Sequence, residues 1–179
     1  PMLLFVLTLL LLLAASPSEA KTHSFFITKE QAYNGMLRSD IPPALTIEDG
    51  DTVVFNTVML MAGELSPEMT FDEMFALRTR MKERGLGVYA FTGPFFVKGA
   101  EPGDILEVRI KRILPGQYAV THIYPDETGI GGLPEGFETG YLKPLYLSED
   151  RKSIPFAPGV TVPVRPFLGT MAVAPRPGE

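Results

Sequence analysis

The 179-residue chain contains no cysteine, which excludes disulfide bonds, cysteine-ligated zinc and a thiol nucleophile. It contains only two histidines, His23 and His122, so few imidazole ligands are available for a metal site within the chain. The 16 lysines and arginines are outnumbered by 21 aspartates and glutamates, and no basic run occurs. We therefore do not expect nucleic acid as a partner.

Sequence motifs of several common enzyme classes are also missing. The chain has no Gly-x-Ser-x-Gly elbow for a serine hydrolase and no Gly-x-x-x-x-Gly-Lys-Ser/Thr loop for nucleotide phosphates. Serine–histidine–aspartate catalysis and phosphate-loop chemistry therefore find no support in the sequence.

The first 20 residues have the pattern of a signal peptide. Residues 2–15 are apolar apart from Thr8. This apolar run is shorter than the roughly 18–20 residues of a membrane-spanning helix. Pro17 and the small residues at Ser18 and Ala20 follow. We expect cleavage after Ala20 and a secreted or periplasmic mature protein with no membrane attachment. An uncleaved membrane anchor is the alternative interpretation.

The mature part, residues 21–179, is predicted to be mainly β. Short apolar runs rich in β-branched and aromatic residues are separated by proline and glycine. Strands are predicted at residues 23–27, 44–47, 52–57, 88–97, 105–114 and 160–164. The run at 105–114 alternates polar and apolar residues in the manner of a half-buried strand. This pattern favours a β-sandwich or barrel-like fold.

One helix is predicted within this β-rich pattern, at about residues 71–84. Thr70 and Glu73 have the spacing of a capping box, and Met74, Leu77 and Met81 follow on one apolar stripe. Gly85 is suited to end the helix. We interpret the helix as one that packs on a sheet.

Three segments carry a family resemblance. Residues 92–94 read Thr-Gly-Pro, and residues 99–104 read Gly-Ala-Glu-Pro-Gly-Asp. Upstream are residues 40–47 with 50–53, and downstream are residues 165–175, which read Arg-Pro-Phe-Leu-Gly-Thr-Met-Ala-Val-Ala-Pro. In this order the segments resemble the acetamidase/formamidase family. The resemblance implies a β-rich, sandwich-like fold and an amidohydrolase that splits carbon–nitrogen bonds of small linear amides, giving a carboxylate and ammonia.

The same resemblance implies that residues 21–179 are the N-terminal part of a family domain, because family members continue past the last of these motifs. We therefore expect much of the active site to lie in a C-terminal part, and this chain alone to be inactive. The resemblance also leaves room for a divalent metal such as zinc, with ligands largely in that C-terminal part. The partner that it implies is a small amide. A homo-oligomer is a separate option, since an exported protein without disulfide bonds must rest on its hydrophobic core or on assembly.

Glu101 is the first candidate catalytic residue. Glycines flank its turn, and Pro102 biases Glu101 toward an extended backbone that directs the carboxylate. A carboxylate can act as general base toward water or ligate a metal in amide hydrolysis. The alternative is a plain turn in which Glu101 or Asp104 accepts backbone hydrogen bonds.

His122 is the second candidate catalytic residue. It lies close in sequence to Asp126 and Glu127 and could act as an acid, a base or a ligand, or simply as a structural hydrogen-bonding group. Tyr89 and Ala172 depart from the family pattern, in which a histidine and a glycine are usual. These departures keep open a second hypothesis, a secreted non-catalytic β-sandwich binding module on the same scaffold.

Overall fold

The computed structural model describes residues 19–132 and 135–178. The predicted signal peptide over residues 1–20 therefore lies outside the described residues, except for its last two positions. Over the described ranges, no helix has both the length and the apolar character needed to cross a membrane.

Ten short strands, one α-helix and one short 3-10 helix form the regular structure of the described residues. The elements in chain order are β1 (Thr22–Phe25), β2 (Tyr33–Asn34), β3 (Leu45–Ile47), β4 (Thr52–Phe55), α1 (Phe71–Glu83), β5 (Ala90–Phe91), β6 (Phe95–Val97), β7 (Tyr118–Ile123), the 3-10 helix Asp126–Thr128, β8 (Tyr141–Tyr146), β9 (Ser153–Ala157) and β10 (Val160–Pro163).

The strands pair two by two into five ladders. Two ladders are parallel: β1 with β4, where Thr22 is opposite Thr52, and β3 with β6, where Leu45 is opposite Phe95. The other three are antiparallel and join β2 to β5, β7 to β8 and β9 to β10. The carboxyl ends of β3 and β6 therefore lie at one edge, so the turns that follow these two strands are neighbours.

The main core cluster lies between α1 and the β7–β8 ladder. Met74, Leu77 and Met81 of α1 are buried together with Tyr124, which follows β7, and Leu142 of β8. Met61 and Leu65, from the loop before the helix, complete the cluster. The apolar stripe of the helix thus packs against strands, as its 3.6-residue periodicity predicts.

The prediction of a mainly β fold with one inserted α-helix is confirmed. The helix begins at Phe71 and ends at Glu83, and both hydrogen bonds of the capping box at Thr70 and Glu73 are formed. The predicted strand at residues 88–97 is divided into β5 and β6 by Gly93 and Pro94, since proline has no backbone N–H to donate to a ladder.

The predicted strand at residues 105–114 is wrong. No strand is formed there, because no other described segment offers these residues a ladder partner. Side-chain alternation shows that a segment is suited to be a strand, but a strand also needs a neighbour for its backbone hydrogen bonds.

Candidate functional site

A tight turn at residues 99–104 follows β6 and carries the candidate base. Gly99 and Gly103 have φ angles of +81° and +108°, which are strained for residues with a side chain. The Asp104 carboxylate accepts the Glu101 N–H at 2.8 Å, and the Asp104 N–H donates to the Glu101 carbonyl oxygen at 3.1 Å. Asp104 therefore closes the turn.

The side chain of Glu101 is left free by this arrangement. Glu101 is exposed, and its carboxylate forms no hydrogen bond or ion pair with any residue of the described ranges. The side chain that braces the turn is therefore that of Asp104 and not that of Glu101. The Glu101 carboxylate stays available to water or to a ligand, on a turn whose backbone is fixed by glycines and by Pro102.

Two of the three family-like motifs meet at this edge of the fold. The Lys98 N–H donates to the carbonyl oxygen of Ile47, the last residue of β3, at 2.8 Å. The Lys98 ammonium lies 2.9 Å from the Glu48 carboxylate. The turn after β3, which contains the Gly-Asp of residues 50–51, is thus held next to the turn that carries Glu101.

Asp51, in the first of these two turns, forms a hydrogen bond with His23 that the sequence did not reveal. Asp51 has a side chain only 2% exposed, and its Oδ2 lies 2.7 Å from Nε2 of His23 in β1. It also accepts the N–H groups of Lys21 at 2.7 Å and Glu48 at 3.0 Å. The two backbone hydrogen bonds lower the pKa of Asp51 most, and the hydrogen bond with His23 lowers it further. Together they bring this pKa from 3.8 to about 2.

Local sequence could have pointed to Asp51 as a turn residue, since aspartate after glycine is typical of a turn that bonds its own backbone. Nothing local could have linked it to His23, which is 28 residues away and arrives only through the parallel pairing of β1 with β4.

His122 lies in β7, directly opposite Leu142 of β8. Its ring contacts Tyr124 edge-on, with centroids 5.0 Å apart, and its Nδ1 atom is buried without a hydrogen-bond partner. Burial, and secondarily the charge of Arg78, lower the pKa of His122 below 6.5. The imidazole is therefore neutral at neutral pH and keeps a lone pair available.

An open cavity of about 410 Å³ lies beside the β7–β8 ladder. Its lining is mostly apolar and includes His122, Tyr141, Lys143 and Phe156. Glu101 is not among the lining residues, and no hydrogen bond or ion pair among the described residues joins Glu101 to His122. The two predicted site residues thus lie in separate settings.

The described ranges hold no group of three or more His, Asp or Glu side chains that could bind a metal ion. The His23–Asp51 pair brings only two such side chains together, and Asp51 already accepts two backbone hydrogen bonds. The described residues alone therefore do not fit a divalent metal such as zinc, and we derive no step through one.

Comparison with known proteins places these features in a family. Residues 21–178 match the acetamidase/formamidase family. A protein from Schizosaccharomyces pombe that carries the name formamidase is 29% identical over 101 residues, which are 55% of this chain and 23% of that protein.

Two solved structures share the fold. The acetamidase from Bacillus halodurans is 23% identical, with a TM-score of 0.62, over 87% of this chain and 48% of its own. The acetamidase from Yersinia enterocolitica is 20% identical, also with a TM-score of 0.62, over 90% of this chain and 49% of its own. The chain spans about half the length of these structures and matches them over nearly all of its own. It belongs to the acetamidase/formamidase family.

Proposed function

We propose that the protein to which this chain belongs hydrolyses the carbon–nitrogen bond of small linear amides, releasing a carboxylate and ammonia. The observation that carries the proposal is the family match, which extends over residues 21–178 and therefore over nearly the whole predicted mature part. The names of the relatives, formamidase and acetamidase, indicate the size of amide to test first.

Within this chain, the proposed general base is Glu101. Its carboxylate has no partner among the described residues, and its turn is closed by Asp104, so the base does not have to break a structural bond to act. In the proposed reaction a water oxygen adds to the amide carbon while its proton passes to Glu101. The same proton then protonates the amide nitrogen as the carbon–nitrogen bond breaks and ammonia leaves.

The meeting of two family-like motifs at the β3–β6 edge supports a site there. A substrate-binding edge needs rigid neighbours, and the Lys98 contacts with Ile47 and Glu48 hold the two turns together. The His23–Asp51 pair stiffens the same edge from β1.

His122 is proposed as a second functional group, a neutral imidazole that would accept a proton or a hydrogen bond. The unpartnered Nδ1 atom supports this role, because a buried polar atom without a partner is uncommon and costs stability. A divalent metal such as zinc stays a prediction whose ligands would have to come from outside the described residues.

The proposal includes export. The apolar run at residues 2–15 and the small residues before Lys21 support cleavage after Ala20, with the enzyme then acting outside the cytoplasm on amides present there.

The test is ammonia release by the entire polypeptide that the natural gene encodes. We expect turnover of formamide or acetamide and none of a peptide bond in a short peptide. Absence of ammonia release from a panel of linear amides, with the protein folded, would contradict the proposal and favour the non-catalytic binding module.

A further inference from the structure

Residues 105–114 have the sequence of a strand and lack the hydrogen bonds of one. Leu106, Val108 and Ile110 occupy alternate positions and remain 54, 52 and 50% exposed. Within the described ranges, no backbone N–H or carbonyl group of residues 105–114 forms a backbone hydrogen bond. Ten consecutive residues thus present both an apolar side and an unpaired backbone.

One residue on the polar side of the segment is in contact with the rest of the fold. Lys111 donates from Nζ to Oγ1 of Thr52, the first residue of β4, at 2.7 Å. Arg109 and Glu107 pair with each other at 2.6 Å. The segment is therefore held to the fold by one hydrogen bond at Lys111, and its apolar side stays uncovered.

A second segment shows the same combination. Residues 165–175 form no strand, and none of their backbone groups has a backbone hydrogen bond to another described residue. Phe167, Met171 and Val173 are 79, 52 and 67% exposed. Exposed apolar side chains along unpaired backbone are the pattern that natural proteins avoid unless another polypeptide covers it.

The solved relatives indicate what covers these segments. Each of the two acetamidases matches nearly all of this chain, yet the match uses only 48 and 49% of the relative. The fold therefore includes about as much polypeptide again, and that polypeptide needs a surface on which to pack.

We propose that residues 105–114 are a strand that receives its ladder partner from the half of the acetamidase fold that this chain does not match, by strand addition to its open backbone. Leu106, Val108 and Ile110 form the docking surface for that half. Since residues 105–114 contain three basic residues and one acidic residue, the added strand should carry acidic side chains near Arg112.

Because residues 99–104 lead directly into residues 105–114, the docked half would lie beside the Glu101 turn. The proposal rests on family membership and on the open backbone, not on catalysis, so it can fail while amide hydrolysis stands, and the reverse also holds.

Hydrogen exchange measured by mass spectrometry tests the proposal. The 179-residue chain is compared with the entire polypeptide that the natural gene encodes. We expect the amides of residues 105–114 to exchange at unprotected rates in the 179-residue chain and at least about 100-fold more slowly in the entire polypeptide. Equal, unprotected exchange in both would overturn the proposal. The 179-residue chain could instead become protected from exchange as its concentration is raised and form a dimer in sedimentation. This result would assign the surface to a second copy of the chain and would also overturn the proposal.

A matched pair of double variants locates the surface. Val108→Lys with Ile110→Lys places two charges on the proposed docking side, while Val160→Lys with Val162→Lys alters apolar residues 48 and 40% exposed on β10, whose backbone already pairs with β9. We expect the first pair to lower the Tm of the entire polypeptide by about 10 °C or more, since two charges would be buried, and the second to lower it far less. Equal effects from both pairs would overturn the assignment of residues 105–114.

Discussion

At the scale of single residues, two carboxylates in the turn after β6 have different tasks. Asp104 accepts the Glu101 N–H and fixes the turn, while the Glu101 carboxylate is exposed and unpaired. A carboxylate that supports no other bond is suited to proton transfer, because its protonation during turnover does not loosen the backbone beneath it.

His122 yields a prediction about pH. Its folded pKa lies below 6.5, so the unfolded chain binds the proton more readily and the folded state loses stability as pH falls below 6.5. His122→Phe keeps the edge-on contact with Tyr124 and removes this loss. Urea unfolding at pH 5 to 8 should show a flatter profile for the variant. An unchanged profile would mean that His122 is not the titrating group.

A role of His122 in turnover is measured on the same variant. If Nδ1 takes part in the reaction, kcat/KM of the entire polypeptide should fall about 100-fold or more, while stability at pH 7.5 should be at least that of the natural protein. Full activity would leave His122 with a structural role only.

Asp51 yields a prediction about stability at acidic pH. Its folded pKa of about 2 lies below the ordinary 3.8, so its contribution to stability is present above about pH 4 and is lost as pH falls toward 2. Asp51→Asn should remove this acid-dependent loss and lower stability at pH 7. Asp49→Asn, two residues away in the same turn, is the control, and an equal effect there would contradict the assignment.

At the scale of elements, α1 is stabilised at its start by the reciprocal bonds of the capping box. The Thr70 hydroxyl accepts the Glu73 N–H at 3.2 Å, and the Glu73 carboxylate accepts the Thr70 N–H at 2.8 Å. The helix in turn packs Met74 and Leu77 in one cluster with Tyr124, which follows β7, and Leu142 of β8.

Thr70→Ala should therefore lower the free energy of unfolding by about 1 kcal/mol, the usual value of an N-cap side chain. Thr79→Ala is the matched control, because the Thr79 hydroxyl bonds only to the Phe75 carbonyl oxygen inside the helix and alanine is the better helix former. Equal losses in denaturant titrations of the two variants would contradict the importance of the cap.

The helix could be predicted closely because all its determinants, from Thr70 to Gly85, are local. β1, β3, β4 and β10 were predicted for the same reason, from short runs of β-branched and aromatic residues. The ladders could not be predicted: the parallel pairing of β1 with β4 joins residues about 30 positions apart, and it alone creates the His23–Asp51 pair. The strand predicted at residues 105–114 failed because propensity does not supply a partner.

The candidate site, too, could be predicted only where its determinants are local in sequence. The sequence singled out the turn that carries Glu101, since glycine and proline there fix the backbone. It could not decide whether Glu101 or Asp104 braces the turn, because that depends on side-chain direction. Nor could it show that the turn after β3 lies alongside, a consequence of the parallel β3–β6 ladder.

At the scale of the whole molecule, this chain has one main core cluster beneath α1 and a large uncovered apolar surface elsewhere, and it spans about half of the solved acetamidases. A catalytic constellation acts only when its members are held together, so we expect residues 21–179 alone to release little ammonia from formamide or acetamide. Robust turnover by those residues alone would place the complete site within them.

The proposed export gives a further prediction for the whole molecule. Cleavage after Ala20 should leave Lys21 as the first residue of the exported protein, since the apolar run is short and small residues precede the site. N-terminal sequencing of the secreted or periplasmic protein checks this, and a mature chain that still carries residues 2–15 would show an uncleaved anchor instead.

The central claim is that the Glu101 carboxylate serves as the base in amide hydrolysis, and paired kinetics and melting of Glu101→Gln in the entire polypeptide test it most directly. Asp104→Ala is the control, expected to lower stability by about 1 kcal/mol because it removes the bond that closes the turn. For Glu101→Gln we predict a kcat/KM for formamide or acetamide lowered about 100-fold or more at an unchanged Tm. A kcat/KM within a few-fold of the natural protein would contradict the claim.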